Sequence, residues 1–328
     1  MKLISYPDRF SSVFADNVCR FGPINPQEPF EVSVEDDVCG LLGTKRFVGS
    51  EEVVCSLGNY IRRRLNPQPL LLPQSAFTEA EGRNVRLTAH WGEGQESPKM
   101  TFTVANIDHT ECDPIGPKVQ HRTIAPGEHD ELLFVVGREK NICAKWELST
   151  GERVNAYAKT SLRDGLWAWV VCADEMIARS ARPEEVEWFT VEIVVETTHV
   201  MKATYTIVPP NPNHVRMAWL APSGEICYHN FPRSIESSVA TDTSEVELPS
   251  GTEVVAKSGW TQTRLESGVV SQQVMDHIAG IVTSPRVWQI VGGQAEPVVL
   301  LGSHLTLAGG SGRSLSLTIR PAKKVVYW

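Results

Sequence analysis

Apolar and polar residues alternate with a period of two along much of this chain. Positions 30, 32 and 34 are Phe, Val and Val, whereas positions 31, 33 and 35 are Glu, Ser and Glu. Residues 85–91 and 142–148 repeat the alternation. Because side chains at i and i+2 share one face of a β-strand, such segments fit strands with one buried face. The pattern therefore predicts a mainly β chain, a multidomain protein built from antiparallel β-sandwich-like modules.

The hydrophobic period changes in one place near the C-terminus. Val270, Val274, Ile278, Ile281 and Val282 recur at helical spacing, which places them on one apolar stripe of a helix. A proline follows at position 285, and its ring is incompatible with continuing the helix. We therefore predict one amphipathic helix at about residues 269–284 that covers one face of an antiparallel sheet.

Two stretches rich in proline divide the chain. Residues 113–130 contain Pro, Gly and His but few apolar side chains, and such a stretch cannot pair as a central strand. Residues 209–213 read Pro-Pro-Asn-Pro-Asn, a composition typical of a stiff spacer. These features predict an N-terminal β domain at 1–112, a linker at 113–130, a middle β domain at 131–209 and a C-terminal β domain with one helix at 210–328.

The charge balance argues against a nucleic-acid partner. The chain has 31 Lys and Arg against 39 Asp and Glu, a formal net charge of −8. Nucleic-acid binders neutralise phosphates with clustered basic residues. The only dense basic run is the three arginines at 62–64, which we interpret as solvated side chains on a strand edge or loop.

Nothing in the sequence predicts a membrane protein or a secreted one. No segment approaches the ~18 consecutive apolar residues of a membrane span. Pro7 and Asp8 interrupt the first residues before an apolar stretch of signal-peptide length can form. We expect no membrane span and a protein that stays soluble in the cytoplasm where it is made.

The cysteines and histidines do not predict a metal site. Seven cysteines are scattered without a Cys-x-x-Cys pair, which argues against a zinc knuckle and a dense disulfide framework. We expect most to be reduced thiols that pack as small apolar side chains. His109, Glu111, Cys112 and Asp113 follow no known ligand spacing. We predict neither a metal nor a cofactor.

A glycine run near the C-terminus resembles a phosphate loop only superficially. Gly309, Gly310 and Gly312 are followed directly by β alternation, whereas a phosphate loop needs a lysine and a helix start. We interpret the run as the turn of a closing hairpin between residues 305–307 and 315–319.

Neighbouring carboxylates occur at 36–37, 51–52 and 184–185. Acid–base catalysis on a sugar requires two carboxyl groups that converge across a cleft, whereas neighbours along a strand point to opposite faces. We interpret them as solvated turn residues, and we predict no catalytic residue and no enzymatic activity.

Nine tryptophans are present, and aromatic rings can form stacking platforms for sugars or anchors at interfaces. Most occupy strand positions in register with other apolar residues, which favours a role in the core. Trp167 and Trp169 share one face of one predicted strand. They are the pair that we predict for a glycan or partner contact, should an aromatic platform exist.

The C-terminal third carries a distinctive order of segments. An extended run at 215–220, a Pro-Ser-Gly turn and an aromatic second run ending at Phe231 come first; Ser-Gly-Trp at 258–260, a short helix, Ser-Pro-Arg-Val-Trp at 284–288 and a closing hairpin follow. This order resembles structural, tail-associated proteins of tailed phages and prophages of gut Bacteroidota. Residues 42–47 and 57–62 add a weaker similarity.

The resemblance implies a non-enzymatic virion structural protein of the tail tip or baseplate, a distal-tail-like scaffold or adaptor that self-assembles. Its expected partners are further copies of itself, as a homo-oligomer, and other virion tail proteins. Its expected location is the virion tail, after assembly in the cytoplasm of a bacterial host. The alternative is a carbohydrate-binding adhesin that recognises a bacterial surface glycan.

Overall fold

The protein is described by a computed structural model that covers every residue except 1, 9, 14, 26, 50, 81, 105–111, 155–159, 197, 232, 308–312, 323, 324 and 328. The described residues are mainly β and form several largely antiparallel sheets. A few short helices lie between the strands in the sequence. The predicted fold class is confirmed, including a helix in the C-terminal region.

Among the described residues, positions 2–103 contribute ten strands and one helix. They are β1 (Lys2–Ser5), β2 (Phe10–Ser12), β3 (Val18–Gly22), β4 (Phe30–Asp36), β5 (Gly40–Phe47), β6 (Val53–Ser56), α1 (Gly58–Arg64), β7 (Ala76–Glu79), β8 (Asn84–Trp91), β9 (Gln95–Glu96) and β10 (Met100–Thr103).

All of these strands except β7 form the N-terminal sandwich. One sheet has the order β1-β3-β6 and the other the order β2-β10-β8-β4-β5, with β9 beside β8. The alternation behaves as predicted, because Phe30, Val32 and Val34 of β4 are buried while Glu31 and Glu35 are exposed. The strand β8 at 84–91, whose alternation was also noted, pairs antiparallel with β10.

The arginine run at 62–64 lies in the last turn of helix α1, so the prediction of a strand edge or loop is wrong. Ile61 is the buried residue of this seven-residue helix, and one buried position is too few to produce a helical period in the sequence. The arginines suit a helix C-terminus, where cations interact favourably with the macrodipole.

Asp36 is not the solvated turn carboxylate that we predicted. It is 5% exposed, and its Oδ1 accepts hydrogen bonds from the backbone N–H groups of Val38 and Cys39 at 3.0 and 2.8 Å. Nη2 of Arg64 lies 3.3 Å from the same oxygen. Asp36 therefore closes the β4–β5 turn and attaches α1 to it.

The described part of the middle region contributes nine strands and two short helices. They are β11 (Cys112–Pro114), β12 (Val119–Ile124), β13 (His129–Val136), β14 (Lys140–Leu148), β15 (Arg153–Val154), β16 (Thr160–Leu162), β17 (Gly165–Cys172), α2 (Ala173–Ile177), a 3-10 helix (Pro183–Glu185), β18 (Trp188–Val195) and β19 (Thr198–Ile207).

The middle sandwich includes residues that we predicted to be outside it. One sheet has the order β11-β13-β17-β7 and the other the order β12-β19-β18-β14-β15, with β16 beside β14. The predicted linker at 113–130 thus contains β12 and most of β11. Both are edge strands, where proline and glycine are tolerated, and β7 arrives from the N-terminal region. The boundary at 112 therefore does not separate two sandwiches.

The cysteines agree with the prediction of free, largely buried thiols. Among the described side chains, Cys19, Cys55, Cys172 and Cys227 are free and buried, whereas Cys39 is exposed. Burial, with a contribution from neighbouring Cys55, raises the pKa of Cys19 to about 12. Its thiol is consequently protonated at neutral pH.

The C-terminal region forms one large sheet covered by short helices. Its elements are β20 (Val215–Leu220), β21 (Ile226–Phe231), β22 (Arg233–Leu248), β23 (Gly251–Glu266), α3 (Gln272–Ile278), α4 (Gly280–Thr283), β24 (Val287–Val291), β25 (Gln294–Leu307), β26 (Arg313–Pro321) and β27 (Val325–Tyr327). The strand order is β21-β20-β24-β25-β26-β23-β22, with β27 beside β23.

The predicted helix at about 269–284 is present, but it is shorter and consists of two pieces. It begins after Ser271, whose hydroxyl accepts a hydrogen bond from the backbone N–H of Val274. Ile278 and Ile281 are buried as predicted, whereas Val282 is 40% exposed. Successive helical residues lie about 100° apart, so positions 281 and 282 cannot both face the sheet.

Gly82 lies against the backbone of Asn66, and substitution of this glycine tests that close approach. Its φ is +71°, and an added Cβ would lie 2.4 Å from the carbonyl oxygen of Asn66. Gly94 has a φ of +70° with nothing near its Cβ position. We expect Gly94→Ala to cost about 1–2 kcal/mol, from the left-handed conformation alone. Gly82→Ala adds a clash with backbone and should cost about 1–3 kcal/mol more.

Urea titrations that give the free energy of unfolding of both variants check this difference. Equal losses for Gly82→Ala and Gly94→Ala would show that the chain relaxes around Asn66.

Candidate functional site

The three regions of the chain meet at a group of charged side chains that are largely buried, which we name the junction cluster. It consists of three arginines and four carboxylates: Arg83, Arg122, Arg216, Glu128, Asp130, Glu131 and Glu225. Arg83 directly precedes β8, in the N-terminal region. Arg122 lies in β12, Glu128 directly precedes β13, and Asp130 and Glu131 lie at the start of β13, all in the middle region. Arg216 lies in β20 and Glu225 directly precedes β21, in the C-terminal region.

Glu131 connects all three regions through its carboxylate. Nη2 of Arg83 lies 2.6 Å from Glu131 Oε2, and the hydroxyl of Tyr228 donates to Glu131 Oε1 at 2.8 Å. Arg83, Glu131 and Tyr228 are at most 1% exposed. Because an unpaired charge is costly in the protein interior, Glu131 depends on a partner from each neighbouring region.

Arg122 joins the middle sandwich to the C-terminal sheet. Its Nη1 donates to Asp130 Oδ1 at 2.5 Å and to the carbonyl oxygen of Glu131 at 3.1 Å. Its Nη2 donates to a carboxylate oxygen of Glu225, and its Nε donates to Gln120 Oε1 at 2.8 Å. The guanidinium is therefore shared by carboxylates of two regions.

Arg216 makes a third connection at the same boundary. Its Nη1 lies 3.2 Å from Glu128 Oε2, and its Nη2 donates to the carbonyl oxygen of His129 at 2.7 Å. The side-chain amide of Asn230 donates to the same Glu128 oxygen at 2.7 Å. The guanidinium also lies over the ring of Tyr228, 5.2 Å from its centroid.

Burial controls the protonation behaviour of the junction cluster. Burial raises the pKa of Asp130, of Glu131 and of Glu225 above their ordinary values. Burial also disfavours the charged form of Arg122, but the carboxylates of Asp130 and Glu225 outweigh it and raise its pKa. Arg122 is therefore a permanent buried cation, and its neighbours are the groups that compensate it.

Two cavities open beside the junction cluster. One of about 520 Å³ is lined by residues that include His129, Arg216 and Tyr228, and one of about 320 Å³ has Glu225 and His277 in its wall. Arg83, Arg122 and Arg216 already engage the carboxylates nearby. The ion pairs of the junction cluster therefore hold the three regions in position relative to one another.

The second candidate functional feature is a long β-hairpin in the C-terminal sheet. β22 and β23 have 16 residues each and pair antiparallel from Arg233↔Glu266 to Leu248↔Gly251. β26 and β27 pair with β23 only within residues 257–266. We name residues 237–256 the arm, which comprises most of β22, the turn and the first residues of β23.

The arm presents an open strand edge. β22 is the last strand of its sheet, and in the described part of the chain it pairs only with β23. Val239 is 74% exposed, and four further apolar side chains of the arm are also exposed: Val246, Leu248, Val254 and Val255. A long edge strand is a template for pairing with another chain, and exposed apolar side chains mark contact surfaces.

The sequence contains a signal for this hairpin that we did not use. Ser250-Gly251 separates two runs that are rich in Val and Thr, and a glycine-containing turn between such runs is typical of a β-hairpin. The junction cluster has a fainter signal, since Asp130 and Glu131 directly precede the apolar run at 132–136.

Trp167 and Trp169 lie on one face of β17, but this face points into the core of the middle sandwich. Trp169 is 2% exposed, with its ring centroid 4.5 Å from that of Phe77 and 6.5 Å from that of Trp146. Trp167 is half-buried, and its indole N–H donates to the carbonyl oxygen of Arg163 at 2.9 Å. A sugar cannot stack on Trp169 in this fold, so the two residues do not form an exposed platform.

Within the described residues, no helix combines the length and the apolar character needed to cross a membrane. In the same part of the chain, no group of three or more His, Cys, Asp or Glu side chains is arranged to hold a metal ion. His109 and Glu111, considered above as ligands, lie outside the described residues, as do the glycines at 309, 310 and 312.

Comparison with known proteins gives weak structural similarity to solved structures and no match in sequence. No model of a protein family matches the chain, and no curated protein matches it. A similar solved structure is a chain of "Virion of native gene transfer agent (GTA) particle", with 11% sequence identity and a TM-score of 0.22. The match covers 36% of this chain and 99% of that chain.

The buried pair at the centre of the junction cluster predicts a large loss of stability when it is broken. Arg83→Met leaves the carboxylate of Glu131 buried without its cation, and we expect a loss of about 3–5 kcal/mol in the free energy of unfolding. Adding Glu131→Gln removes the uncompensated charge and should recover part of the loss. Urea unfolding of both variants measures this.

Arg153→Met is the matched control, because Arg153 forms an exposed ion pair with Glu147 at 3.3 Å. It should cost less than about 1 kcal/mol. Equal effects of Arg83→Met and Arg153→Met would contradict a structural role of the junction cluster.

His229 predicts a dependence of stability on pH. Burial, with contributions from His277, Arg216 and His214, lowers the pKa of His229 to about 3 from an ordinary value of 6.5. Below about pH 6.5 the unfolded chain binds a proton that the folded chain does not. Folding should therefore lose about 1.4 kcal/mol per pH unit from this group as the pH falls.

We expect His229→Gln to reduce the slope of unfolding free energy against pH between about 4 and 6.5 by about one proton. The measurement is a series of urea titrations at stepped pH. A slope identical to that of the wild type would show that His229 takes up its proton in the folded chain.

Proposed function

We propose that this chain is a non-enzymatic structural protein of a virion that self-assembles as a homo-oligomer. In the tail-tip or baseplate region it would act as a scaffold or adaptor between tail proteins, and it would be assembled in the cytoplasm of a bacterial host. The open edge of the arm carries the proposal, because a strand edge with exposed valines is a surface suited to another polypeptide chain.

The junction cluster supports the same function from inside the molecule. A scaffold transmits position only when its own parts keep a fixed orientation. Glu131 holds groups from the N-terminal and C-terminal regions at once, and Arg122 holds carboxylates of the middle and C-terminal regions. Surfaces that are ordered before association lose less conformational entropy when they bind.

The order of segments in the C-terminal third supports the more specific placement in a tail. It is the part of the sequence that resembles tail-associated phage proteins, and it contains the arm between its second strand and its short helix. The arm therefore belongs to the portion of the chain on which the resemblance rests.

Self-assembly through the arm predicts a change of mass when its apolar edge is made basic. We expect the wild type to form an oligomer of defined mass by size-exclusion chromatography with light scattering. Val239→Lys combined with Val254→Lys should shift the protein to a monomer, because lysine on an edge strand opposes strand pairing. Thermal unfolding should stay close to that of the wild type, since both side chains are exposed.

Val291→Lys is the control, because Val291 is also an exposed valine but lies at the end of β24. It should leave the oligomer intact. A wild-type protein that is a monodisperse monomer at every concentration, and that is absent from purified virions, would overturn the proposed function.

A further inference from the structure

A second open strand edge lies in the N-terminal sandwich, far from the arm in sequence. β5 ends the order of its sheet, and among the described residues it pairs only with β4. Leu41 on this strand and Val48 just after it are 61% and 69% exposed. Like the arm, this edge combines free backbone groups with exposed apolar side chains.

Basic residues are gathered around the β5 edge. Lys45 and Arg46 belong to the strand itself, and Arg62 and Arg63 are exposed residues of α1. We name these four residues together with the outer side of β5 the basic edge.

Contacts of α1 with β5 bring the two sets of cations together. The side-chain amine of Lys45 donates to the carbonyl oxygen of Ser56 at 2.7 Å and lies 5.3 Å from the ring centroid of Tyr60. Tyr60 also occupies the space beside Gly43, since a Cβ on that glycine would lie 3.2 Å from its ring. Helix α1, which carries the two exposed arginines, therefore packs against β5.

The arm has the opposite charge. Glu245, Glu247 and Glu253 are exposed near its tip, next to exposed Val246 and Val254. In the register of the hairpin, Val246 lies opposite Glu253 and Glu245 lies opposite Val254. Since directly opposed residues share a face, each face of the tip carries both a carboxylate and an apolar side chain.

We propose that the arm of one copy of this chain docks on the basic edge of a second copy by adding a strand to β5. Backbone hydrogen bonds of the two open edges would provide affinity, and the valines of the arm would contact Leu41 and Val48. The glutamates of the arm would face the cations of β5 and α1, which selects this pairing over arm with arm or edge with edge.

Because the arm and the basic edge are different surfaces, the contact is head to tail. Such a contact produces a closed ring when its rotation closes, and a filament when it does not. The inference deepens the proposed function, since it rests on self-assembly and names the surface that receives the arm.

A charge-exchange experiment tests the pairing. In the first variant the arm is reversed by Glu245→Lys, Glu247→Lys and Glu253→Lys. In the second the basic edge is reversed by Arg46→Glu, Arg62→Glu and Arg63→Glu. We expect the self-association of each variant alone to weaken about tenfold or more, measured by sedimentation velocity, because like charges then face each other.

Mixing the two variants in equal amounts should restore assembly. The basic arm of the first then meets the acidic edge of the second, while the acidic arm of the second meets the unchanged basic edge of the first. The restored particles should contain both variants in equal numbers, which native mass spectrometry counts.

A matched control reverses three exposed carboxylates elsewhere: Glu93→Lys, Glu184→Lys and Glu187→Lys. It changes the net charge by the same amount as the arm variant and should leave assembly unchanged. Thermal unfolding of all variants establishes that they are folded.

The outcomes separate a failure of the proposed function from a failure of the pairing between the arm and the basic edge. A wild type that is monomeric at every concentration and absent from purified virions overturns the proposed function itself, and with it this inference. If the wild type assembles but the edge variant assembles equally well, the arm docks elsewhere or on another arm, and this inference is overturned while self-assembly stands. Loss in both variants without restoration by mixing also overturns the pairing of these two surfaces.

Discussion

The buried ion pair between Arg83 and Glu131 is the interaction on which the arrangement of the three regions depends. Neither side chain is exposed to water, so each charge needs the other far more than it would at the surface. Tyr228 binds the same carboxylate from the C-terminal region. Separating any one of the three regions would break the ion pair or the hydrogen bond to Tyr228, so these contacts link the relative positions of the regions.

The buried ion pairs also affect the arm, because the arm belongs to the same sheet as two residues of the buried boundary. The strand β23 that carries it also pairs with β26 and β27, and the same sheet contains β20 and β21, whose residues Arg216 and Tyr228 belong to the buried boundary. The arm lies in the C-terminal sheet and the basic edge lies in the N-terminal sandwich, and the junction cluster links these two regions through the middle one. Two complementary strand edges on a fixed frame are a simple basis for an assembly of identical copies.

The local periods of the sequence predicted several strands, among them β4, β8, β14 and β20, and the single stripe of the C-terminal helix. They failed where pairing came from elsewhere in the chain. β7 joins β17, and β12 joins β19 in parallel, although their own segments carry weak or mixed alternation. Helix α1 buries one residue, Ile61, so its period was invisible. The arm was missed because a strand exposed on both faces has no apolar alternation to detect.

The sequence by itself determined the fold class, because alternation along a strand is a local property that depends on the two faces of a pleated chain. It also determined where turns interrupt strands, since glycine and proline act on their own backbone. Only the tertiary structure decided which edges stay open and which charges are buried together. Arg83, Glu131 and Tyr228 are far apart in the chain, and no local rule relates them. Packing brings these side chains together, and their pairing offsets the cost of removing the charges from water.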